Sequence, residues 1–511
     1  MRAKNSIINS IVSILMYTLL GIIGFYKISI IIENYGSEIN GLQLFITQFL
    51  RYLTLFETGF GISVVYYLYE PFAHKDYYKI NQYYSALKKL YRYLTIVILI
   101  IGGLCIPIIF YFIGDTEGIS NKIIVEVYAL TFLNLAIVFP FSAYFSILQA
   151  DQKMYISKGI TSFGKLIGSI VSVILIIKGL DIVTVLLIEL LVNIIFHFYL
   201  KIVTEKRYPF LNKEAEADFT CLKKVPYVFP HVIAGAIVNQ TDSLLITKFE
   251  DLLVVSIYSS YMYIVLFLRT LINSISRSTQ ASFGNLSHMN EGIMYKVFKQ
   301  YAEVMFFIVI CSSSILFTSI NNFVSIWIDK SYVQSSFVVF LFVVSYFHSV
   351  AKDIIHVIRD SRGQFKEGVI ITAAEGVGNL LLSIILGKLY GLPGILLGTI
   401  ISYYLVDLPF NTRLVYKYIF KVSFMKYIFY YCYNFLIFVL LILFNFYVVS
   451  KFHMFQGKSY LSWSVHVIVI ALLNVTILFV LKYATSASFR EVLKRMYNTS
   501  VVKKVKKSFS F

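Results

Sequence analysis

Two arginines lie deep inside long apolar stretches of this 511-residue sequence. Arg51 lies in the apolar segment 41–69 and Arg269 in the segment 252–280, each near the middle. A charge near the centre of a membrane helix costs at least about 2.5–3.5 kcal/mol unless it faces a partner or a water-filled cavity. Because guanidinium groups are bidentate donors to phosphate and carboxylate, the two arginines predict a cationic cavity that binds an anionic group. In the alternative interpretation, each arginine pairs with a carboxylate in its own half of the chain.

The polar residues that follow Arg269 repeat at helical spacing. Asn273, Ser276 and Gln280 come four, seven and eleven positions later, which places them all on one face of a helix. This stripe predicts one wall of a hydrated path, with Asn273 beside Arg269 in the substrate-binding set. Polar side chains that pack between helices would give the same spacing.

Lys27 and Asp242 form a second candidate pair. Lys27 lies near the end of the apolar segment 7–32, and Asp242 lies in the segment 225–249. We expect Lys27 to contribute to the cationic cavity and to form an ion pair with Asp242 that closes one side of it, or Asp242 to carry a coupling proton or sodium ion. In the alternative interpretation, the long side chain of Lys27 reaches the outer headgroups of the bilayer.

Three further carboxylates are candidates for gating or for carrying a coupling ion. Glu57 lies six residues after Arg51, so the two side chains project about 120° apart on one helix and cannot pair directly. Glu57 is therefore expected to bind a partner within its own half of the chain, with a transport role as the alternative. Glu189 and Glu375 lie in the middle of their apolar segments and are candidate proton carriers.

The composition is that of a membrane protein. Hydrophobic residues make up 58% of the chain and charged residues 14%, with a mean hydropathy of +0.76, whereas soluble domains contain about 25% charged residues. The net charge of +18 is typical of basic cytoplasmic loops and does not by itself predict nucleic-acid binding. The four cysteines are scattered and form no CxxC or Cys/His cluster, so we expect neither a metal nor a cofactor.

Hydropathy predicts an all-α integral membrane protein with about fourteen transmembrane helices. The predicted segments are 7–32, 41–69, 91–113, 122–149, 159–178, 181–203, 225–249, 252–280, 298–319, 335–358, 367–387, 391–413, 427–449 and 462–482. With a cytoplasmic N-terminus, 35 Lys and Arg residues fall in cytoplasmic segments and seven in outer ones, which predicts that both termini are cytoplasmic. The basic loop 70–92 and the basic tail are expected to contact anionic membrane lipid.

Short internal matches predict a repeated architecture. FLRYL at 49–53 is matched by FLRTL 218 positions later, and TSFGKLIGSIVSVILIIKGL is matched by TAAEGVGNLLLSIILGKLYGL 211 positions later. We expect two parallel six-helix bundles with a site between them, then two extra transmembrane helices and a basic cytoplasmic tail. The predicted ranges are, in that order, 1–205, 220–415, 427–482 and 483–511.

Several motifs resemble those of a known family. GLQLF, LFETGFGISVVYYLYEPFAHKDYYKIN and KKLYR, in and after the second segment, and NQTDSLLITKF at 239–249 look like motifs of the bacterial Wzx-type polysaccharide flippases. These flippases belong to the multidrug/oligosaccharidyl-lipid/polysaccharide exporter superfamily. The resemblance covers the whole length of the chain, and motifs expected of the lipid II flippase branch are not found.

The resemblance implies a MATE-like fold and a place in the bacterial cytoplasmic membrane. It implies a transporter rather than an enzyme, one that moves an undecaprenyl-pyrophosphate-linked oligosaccharide to the outer leaflet by alternating access for O-antigen or capsule export. Glycosyltransferases and a polysaccharide polymerase would be its partners.

Two other function classes stay open at this point. A multidrug exporter of the same superfamily carries mostly organic cations, which a cavity with Arg51, Arg269 and Lys27 would repel. A membrane-embedded polymerase needs a large outer loop, and an acyltransferase needs a buried His with an Asn or Asp partner; neither feature stands out. The sequence has no GxxxxGK[ST] motif for ATP binding. The energy for transport must therefore come from an ion gradient or from consumption of the product on the outer side of the membrane.

Overall fold

The structure is a computed structural model. It describes residues 2–114, 118–223, 225, 241–286, 291–362, 365–451 and 459–498. All regular structure in these ranges is helical, which confirms the predicted all-α class. Apolar segments fold in this way in a bilayer because a helix satisfies its own backbone hydrogen bonds.

Nineteen α-helices make up most of the described part of the chain. They are α1 (Arg2–Tyr35), α2 (Ser37–Arg51), α3 (Thr54–His74), α4 (Tyr77–Leu104), α5 (Ile106–Ile113), α6 (Asn121–Ala136), α7 (Ser142–Ala150), α8 (Met154–Ile177), α9 (Ile182–Arg207), α10 (Asp242–Phe249), α11 (Leu252–Leu286), α12 (Glu291–Trp327), α13 (Ser336–Ser361), α14 (Phe365–Tyr390), α15 (Leu392–Ser402), α16 (Leu408–Val415), α17 (Met425–Lys451), α18 (Tyr460–Thr485) and α19 (Ala487–Asn498). Short 3-10 turns lie at Phe139–Phe141, Phe219–Leu222 and Lys330–Tyr332, and π-helical turns at Tyr403–Asp407 and Tyr416–Phe420.

Eleven helical segments in the described ranges are long and apolar enough to cross a membrane, and the bent pair of α4 and α5 makes a twelfth. Each of these twelve corresponds to one predicted segment. The predicted segment 41–69 is instead split into α2 and α3. The predicted segment 225–249 lies mostly outside the described residues, apart from α10.

The break between α2 and α3 follows directly after Arg51. The Tyr52 amide donates to the carbonyl of Phe49, three residues back instead of four, and Thr54 Oγ1 donates to the Arg51 carbonyl at 2.7 Å. Such shorter bonds tighten the backbone and end the α-helix. Arg51 is therefore the last residue of α2, where the partial negative charge of the free carbonyls favours a guanidinium.

Contacts between helices divide the chain into two compact units. Unit 1 contains Met1–Ser260 and Ser383–Ile395, and unit 2 contains Tyr261–Leu382 and Leu396–Phe511. The predicted six-helix bundles, 1–205 and 220–415, stay a prediction.

In unit 1, α8 packs against both α1 and α9. A side chain at Gly164 of α8 would place its Cβ 2.5 Å from Cγ of Phe196 on α9, closer than two carbon atoms can approach. The glycine therefore permits the close approach of the two helices. This approach also lets Ser172 of α8 reach Glu189 of α9.

The segment after α9 is held against α4. Lys79 Nζ donates to Asp218 Oδ2 at 2.6 Å, and Ser85 Oγ donates to the Lys213 carbonyl at 3.0 Å. The hydrogen bond from Lys79 lowers the pKa of Asp218 to about 2. Because both contacts join the connecting segment to a helix of unit 1, this segment is a fixed part of that unit.

In unit 2, α12 is the helix against which α13, α17 and α18 pack. Its buried Glu303 accepts a hydrogen bond from Lys482 Nζ of α18 at 2.8 Å, and Lys482 also donates to Asn434 Oδ1 of α17 at 2.7 Å. Asn474 Nδ2 donates to Ser314 Oγ at 2.9 Å. These buried polar contacts fix the last two long helices to the body of unit 2.

Candidate functional site

Four charged side chains of unit 1, on α1, α2, α8 and α9, interact with one another. Lys27 Nζ donates to Glu189 Oε2 at 2.6 Å, and Ser172 Oγ donates to the same oxygen at 3.2 Å. Lys165 interacts electrostatically with both Arg51 and Glu189. We call Lys27, Arg51, Lys165 and Glu189 the unit 1 cluster. The cluster contains three basic side chains and one carboxylate, so its basic side chains outnumber its acidic ones.

Arg51 is the member of the unit 1 cluster that is left without a carboxylate. Its side chain is exposed at the end of α2, and it takes part in no ion pair among the described residues. A guanidinium within an apolar stretch needs water or an anionic ligand when it has no acidic partner. The role of Arg51 as a ligand for an anion stays a prediction.

The structure gives Lys27 and Asp242 partners other than each other. Lys27 pairs with Glu189, because α1 packs against α8 beside α9. Asp242, the first residue of α10, accepts a hydrogen bond from Tyr258 Oη at 3.0 Å. The buried Oδ1 of Asp242 has no hydrogen-bond partner in the described part of the structure. Glu189 is thus the carboxylate that holds Lys27 in place.

In unit 2, Arg269 and Asn273 of α11 form a polar face together with Asp353 of α13. Arg269 Nη2 lies 3.9 Å from Asp353 Oδ2, which is a loose ion pair. Arg269 Nε, Asn273 Oδ1 and Asp353 Oδ2 are buried and have no hydrogen-bond partner in the ranges that the structure describes. A buried polar atom without a partner costs about 1–3 kcal/mol, so a water molecule or a polar group that bonded these atoms would be stabilised.

A second set of charged residues in unit 2 surrounds Glu375. Lys352 Nζ donates to Glu375 Oε2 at 2.6 Å and lies 3.2 Å from Asp407 Oδ1. His356 Nε2 lies 3.1 Å from the same Asp407 oxygen. We call Lys352, His356, Glu375 and Asp407 the His356 cluster. Glu375, predicted as an ion-coupling residue, is therefore part of a network that joins α13, α14 and the π-helical turn at Tyr403–Asp407.

Two predicted positions fall outside the described side chains. These are Glu57, in the candidate gating set, and Gln280, at the end of the polar stripe.

The structure also adds residues that the sequence analysis missed. Lys165 and Lys352 lie in the predicted segments 159–178 and 335–358 and were counted only among the cytoplasmic basic residues, whereas the structure places them in α8 and α13 as members of the charged clusters. A signal for the second was present, because Lys352, His356 and Arg359 repeat at positions i, i+4 and i+7 of one helix face.

Within the described ranges, no group of three or more His, Cys, Asp and Glu residues is arranged to hold a metal ion. The charged clusters of both units instead combine carboxylates with lysine, arginine or histidine. Such sets bind anions, form ion pairs or exchange protons.

No family model and no curated protein matches the chain. Solved structures do match it. The structure titled "Lipid II flippase MurJ, inward closed conformation" has a TM-score of 0.69 and 16% identity, and the match covers 94% of this chain and 99% of the other. An inward-facing multidrug resistance MATE family transporter of the MOP superfamily has a TM-score of 0.55 and 13% identity, with 78% of this chain and 94% of the other covered.

A eukaryotic MATE transporter, AtDTX14, matches with a TM-score of 0.51 and 16% identity over 79% of this chain and 94% of its own. The identities are low and the coverage is high, so the similarity concerns the fold. The chain therefore has the multi-helix membrane fold that these flippase and transporter structures share.

Proposed function

We propose that this protein moves a lipid-linked oligosaccharide from the cytoplasmic to the outer leaflet of the bacterial cytoplasmic membrane by alternating access. The substrate would carry undecaprenyl pyrophosphate, and the product would supply O-antigen or capsule synthesis. The observation that carries the proposal is the excess of cationic side chains over carboxylates in the unit 1 cluster, with Arg51 free of any acidic partner in the described structure.

The chemistry of both arginine sites favours an anionic headgroup. Arg51 and Arg269 offer planar, bidentate donors that match the oxygen atoms of a pyrophosphate. Arg269 has only a loose carboxylate contact, and the buried Asn273 Oδ1 beside it accepts no hydrogen bond from a described residue. An organic cation would be repelled by the unit 1 cluster, so the multidrug alternative is disfavoured on electrostatic grounds.

The fold supports transport rather than covalent chemistry. The matched structures are titled as flippases or transporters, and the match to the lipid II flippase covers 94% of this chain. This coverage favours lipid II as a second candidate substrate, because lipid II also carries its sugar on a pyrophosphate-linked lipid. Glycosyltransferases that make the substrate and a polymerase that consumes the product are the partners that the first candidate requires, with both termini of the chain in the cytoplasm.

The decisive experiment is flipping in proteoliposomes. Purified protein is reconstituted with a fluorescent undecaprenyl-pyrophosphate oligosaccharide or with fluorescent lipid II, and outward movement is followed by quenching from the outside. We expect the oligosaccharide to be moved and expect Arg51→Ala and Arg269→Ala each to slow it at least about 10-fold, since a charged hydrogen bond contributes about 1.5–3 kcal/mol. Movement of lipid II alone would replace the first candidate with the second.

Matched variants separate loss of binding from loss of folding. Arg51→Lys and Arg269→Lys keep the charge but lose the bidentate geometry, so we expect partial activity. Lys388→Ala removes an exposed cation at the end of α14 and should leave flipping unchanged. Wild-type rates in both alanine variants, with either lipid, would contradict the proposed sites, and a new covalent product would contradict the transporter assignment.

A further inference from the structure

The His356 cluster is an ionisable network in the interior of unit 2. The side chains of Lys352 and His356 are 16% and 15% exposed, and those of Glu375 and Asp407 are 5% and 3% exposed. Asp407 Oδ1 accepts a hydrogen bond from Asn411 Nδ2 at 2.8 Å, in addition to its contacts with Lys352 and His356. Every member of the cluster therefore has a polar partner.

The charges of the cluster do not balance while His356 is neutral. Lys352 supplies one positive charge, whereas Glu375 and Asp407 supply two negative charges. A buried charge without a counter-charge is strongly disfavoured, so one further positive charge is needed. Both acids have the surroundings of ionised carboxylates, because Lys352 Nζ donates to both Glu375 oxygens, at 2.8 and 2.6 Å, and Asp407 Oδ1 lies against three donors.

The surrounding groups do not supply the missing charge. Arg359 Nε donates to Asp360 at 2.9 Å, and its Nη1 donates to the neutral amide of Asn411. Arg269 faces Asp353. The titratable and charged groups that face the cluster or its direct neighbours are Asp353, Arg359 and Asp360 on α13, Arg269 on α11, Tyr301 on α12, Tyr403 in the π-helical turn and Tyr427 on α17. The charge of each arginine is balanced by that of its neighbouring aspartate, and tyrosine side chains are uncharged at neutral pH.

The geometry favours a proton over a metal ion. Asp407 Oδ1 already has three donors around it, and the Lys352 ammonium lies between the two carboxylates, where a metal ion would have to bind. His356 is the residue type whose charge changes between about pH 5 and 8. Its Nε2 faces the Asp407 carboxylate and therefore carries a hydrogen, so a further proton is taken up at Nδ1.

The backbone beside Asp407 supports a functional role. Asp407 is the last residue of the π-helical turn Tyr403–Asp407, which interrupts the path from α15 to α16. Single π-helical turns are rare and occur often at functional sites. The turn places the Asp407 carboxylate against His356 and leaves Asn411, one turn later, to bind the same oxygen.

We propose that the His356 cluster is a proton-binding site, in which His356 takes up one proton that neutralises Glu375 and Asp407 together with Lys352. The second part of this inference rests on the proposed function: this proton is the coupling ion that drives transport. Release of the proton leaves the cluster with a net negative charge in the interior of unit 2, which favours a different arrangement of α13, α14 and α16.

Proton binding is tested first, without substrate. Protein labelled with ¹⁵N and ¹³C at histidine is reconstituted in nanodiscs, and the ring signals are followed from pH 4.5 to 9. His356→Gln identifies the His356 signal, and His197→Gln is the control, since the buried His197 bonds the carbonyl of Asn193 in unit 1. We expect the His356 signal to change between that of a neutral ring and that of a doubly protonated ring within this range.

The charge-balanced variant Glu375→Gln makes the test specific. It leaves Lys352 and Asp407 to neutralise each other, so the cluster no longer needs the extra proton. At a pH where the wild-type ring is doubly protonated, the His356 signal of Glu375→Gln should then be that of a neutral imidazole. A signal that stays constant over the whole range in the wild type, or a signal with the same pH dependence in Glu375→Gln, would overturn the proton site.

Coupling is tested separately with proteoliposomes and an imposed pH gradient. We expect the gradient to accelerate flipping at least 3-fold in the wild type and in the control Lys388→Ala, and to leave the rates of His356→Gln and Glu375→Gln, at whatever level they have without a gradient, unchanged. A response to a sodium gradient instead of a pH gradient would overturn the coupling role. If no variant flips any lipid, the proposed function fails while the nanodisc titration still decides the proton site.

Discussion

Lys27 Nζ lies 2.6 Å from Glu189 Oε2, and this contact joins α1 to α9 within a cluster that holds two more cations. Glu189 also accepts a hydrogen bond from Ser172. Glu189 thus interacts with Lys27, Lys165 and Ser172, whereas Lys27 has Glu189 as its ion-pair partner, so the acid should contribute more to stability than the base.

Replacing Glu189 by Gln should destabilise the protein more than replacing Lys27 by Met. Without Glu189, Lys27, Lys165 and Arg51 are left with no carboxylate in the cluster, whereas without Lys27 the acid keeps Lys165 and Ser172. We expect a loss of about 3 kcal/mol for Glu189→Gln and about 1 kcal/mol for Lys27→Met. The measurement is unfolding in detergent, with the exposed Lys178→Met as control. Equal losses would show that the two residues act only as a pair.

A glycine pair on α8 tests the close approach of α8 and α9. Gly164→Ala should destabilise the protein by about 1–3 kcal/mol, because the added methyl group would overlap the Phe196 side chain. Gly159→Ala on the same helix is the matched control, since its Cβ would meet only Val12 Cγ1 at 3.8 Å. That control should be neutral or stabilising by up to about 1 kcal/mol from helix propensity. Thermal unfolding of both variants measures the difference.

Removing the carboxylate that faces Arg269 should strengthen anion binding. Asp353 lies 3.9 Å from the guanidinium and competes with a pyrophosphate for it. Asp353→Asn is expected to lower the Kd for an undecaprenyl-pyrophosphate ligand about 3- to 10-fold, measured by fluorescence with purified protein. Asp360→Asn on the same helix is the control, because Asp360 bonds Arg359. Weaker binding in Asp353→Asn would mean that the aspartate positions Arg269 instead.

The connecting segment after α9 should stay protected from protease over a wide pH range. The pKa of Asp218 is lowered to about 2 by the hydrogen bond from Lys79, so the stabilisation is complete above about pH 4 and is lost as the pH falls through about 2. Trypsin cleavage at Lys213 should therefore be slow and constant from pH 7 to 9, whereas pepsin cleavage of the segment should rise near pH 2.

The Asp218→Asn variant supplies the comparison for this segment. It should be cleaved by trypsin about 3- to 10-fold faster at every pH from 7 to 9, because the ion pair with Lys79 is absent. Glu214→Gln changes an exposed carboxylate of the same segment and should behave like the wild type. Cleavage of Asp218→Asn at the wild-type rate would show that Ser85 and its neighbours hold the segment alone.

The buried ion pair between Glu303 of α12 and Lys482 of α18 should be more costly to break than to replace by two apolar side chains. Lys482→Met leaves the Glu303 carboxylate without its cation and should destabilise the protein by about 3–5 kcal/mol. The double variant Lys482→Met with Glu303→Leu should recover most of that loss. Unfolding in detergent measures both, and a double variant as unstable as the single one would mean that packing, not charge, explains the effect.

The sequence predicted the class of fold and most of the helices, because long apolar segments have few alternatives in a bilayer. It also found the arginines, since a charge in such a segment is conspicuous. The sequence could not identify which side chain each charged residue contacts. Lys27 and Asp242 are 215 positions apart, close to the repeat offset, but the packing of α1 against α8 gives Lys27 to Glu189 instead. Which face of a helix meets which neighbour is decided by small residues such as Gly164, which hydropathy does not register.

The contacts within the His356 cluster could not be predicted from the sequence either. Lys352 lies at the cytoplasmic end of the predicted segment 335–358 and was counted among the cytoplasmic basic residues, whereas in the structure it lies within α13 and bonds Glu375. Asp407 belongs to a π-helical turn, which has no sequence signature of its own. A helix-face plot of 352–359 would have suggested one polar side, but not the acids that face it.

Glu303 and Lys482 are 179 positions apart in the chain. Ribosomes add about 5–20 residues per second, so the acid is synthesised roughly 10–35 s before the lysine that pairs with it. During this interval α12 enters the bilayer with an acidic side chain that has no counter-charge, which is costly in lipid. A nascent chain that stops before α18 would keep this acid unpaired in lipid, and we expect such truncated products to be degraded by membrane quality control instead of accumulating.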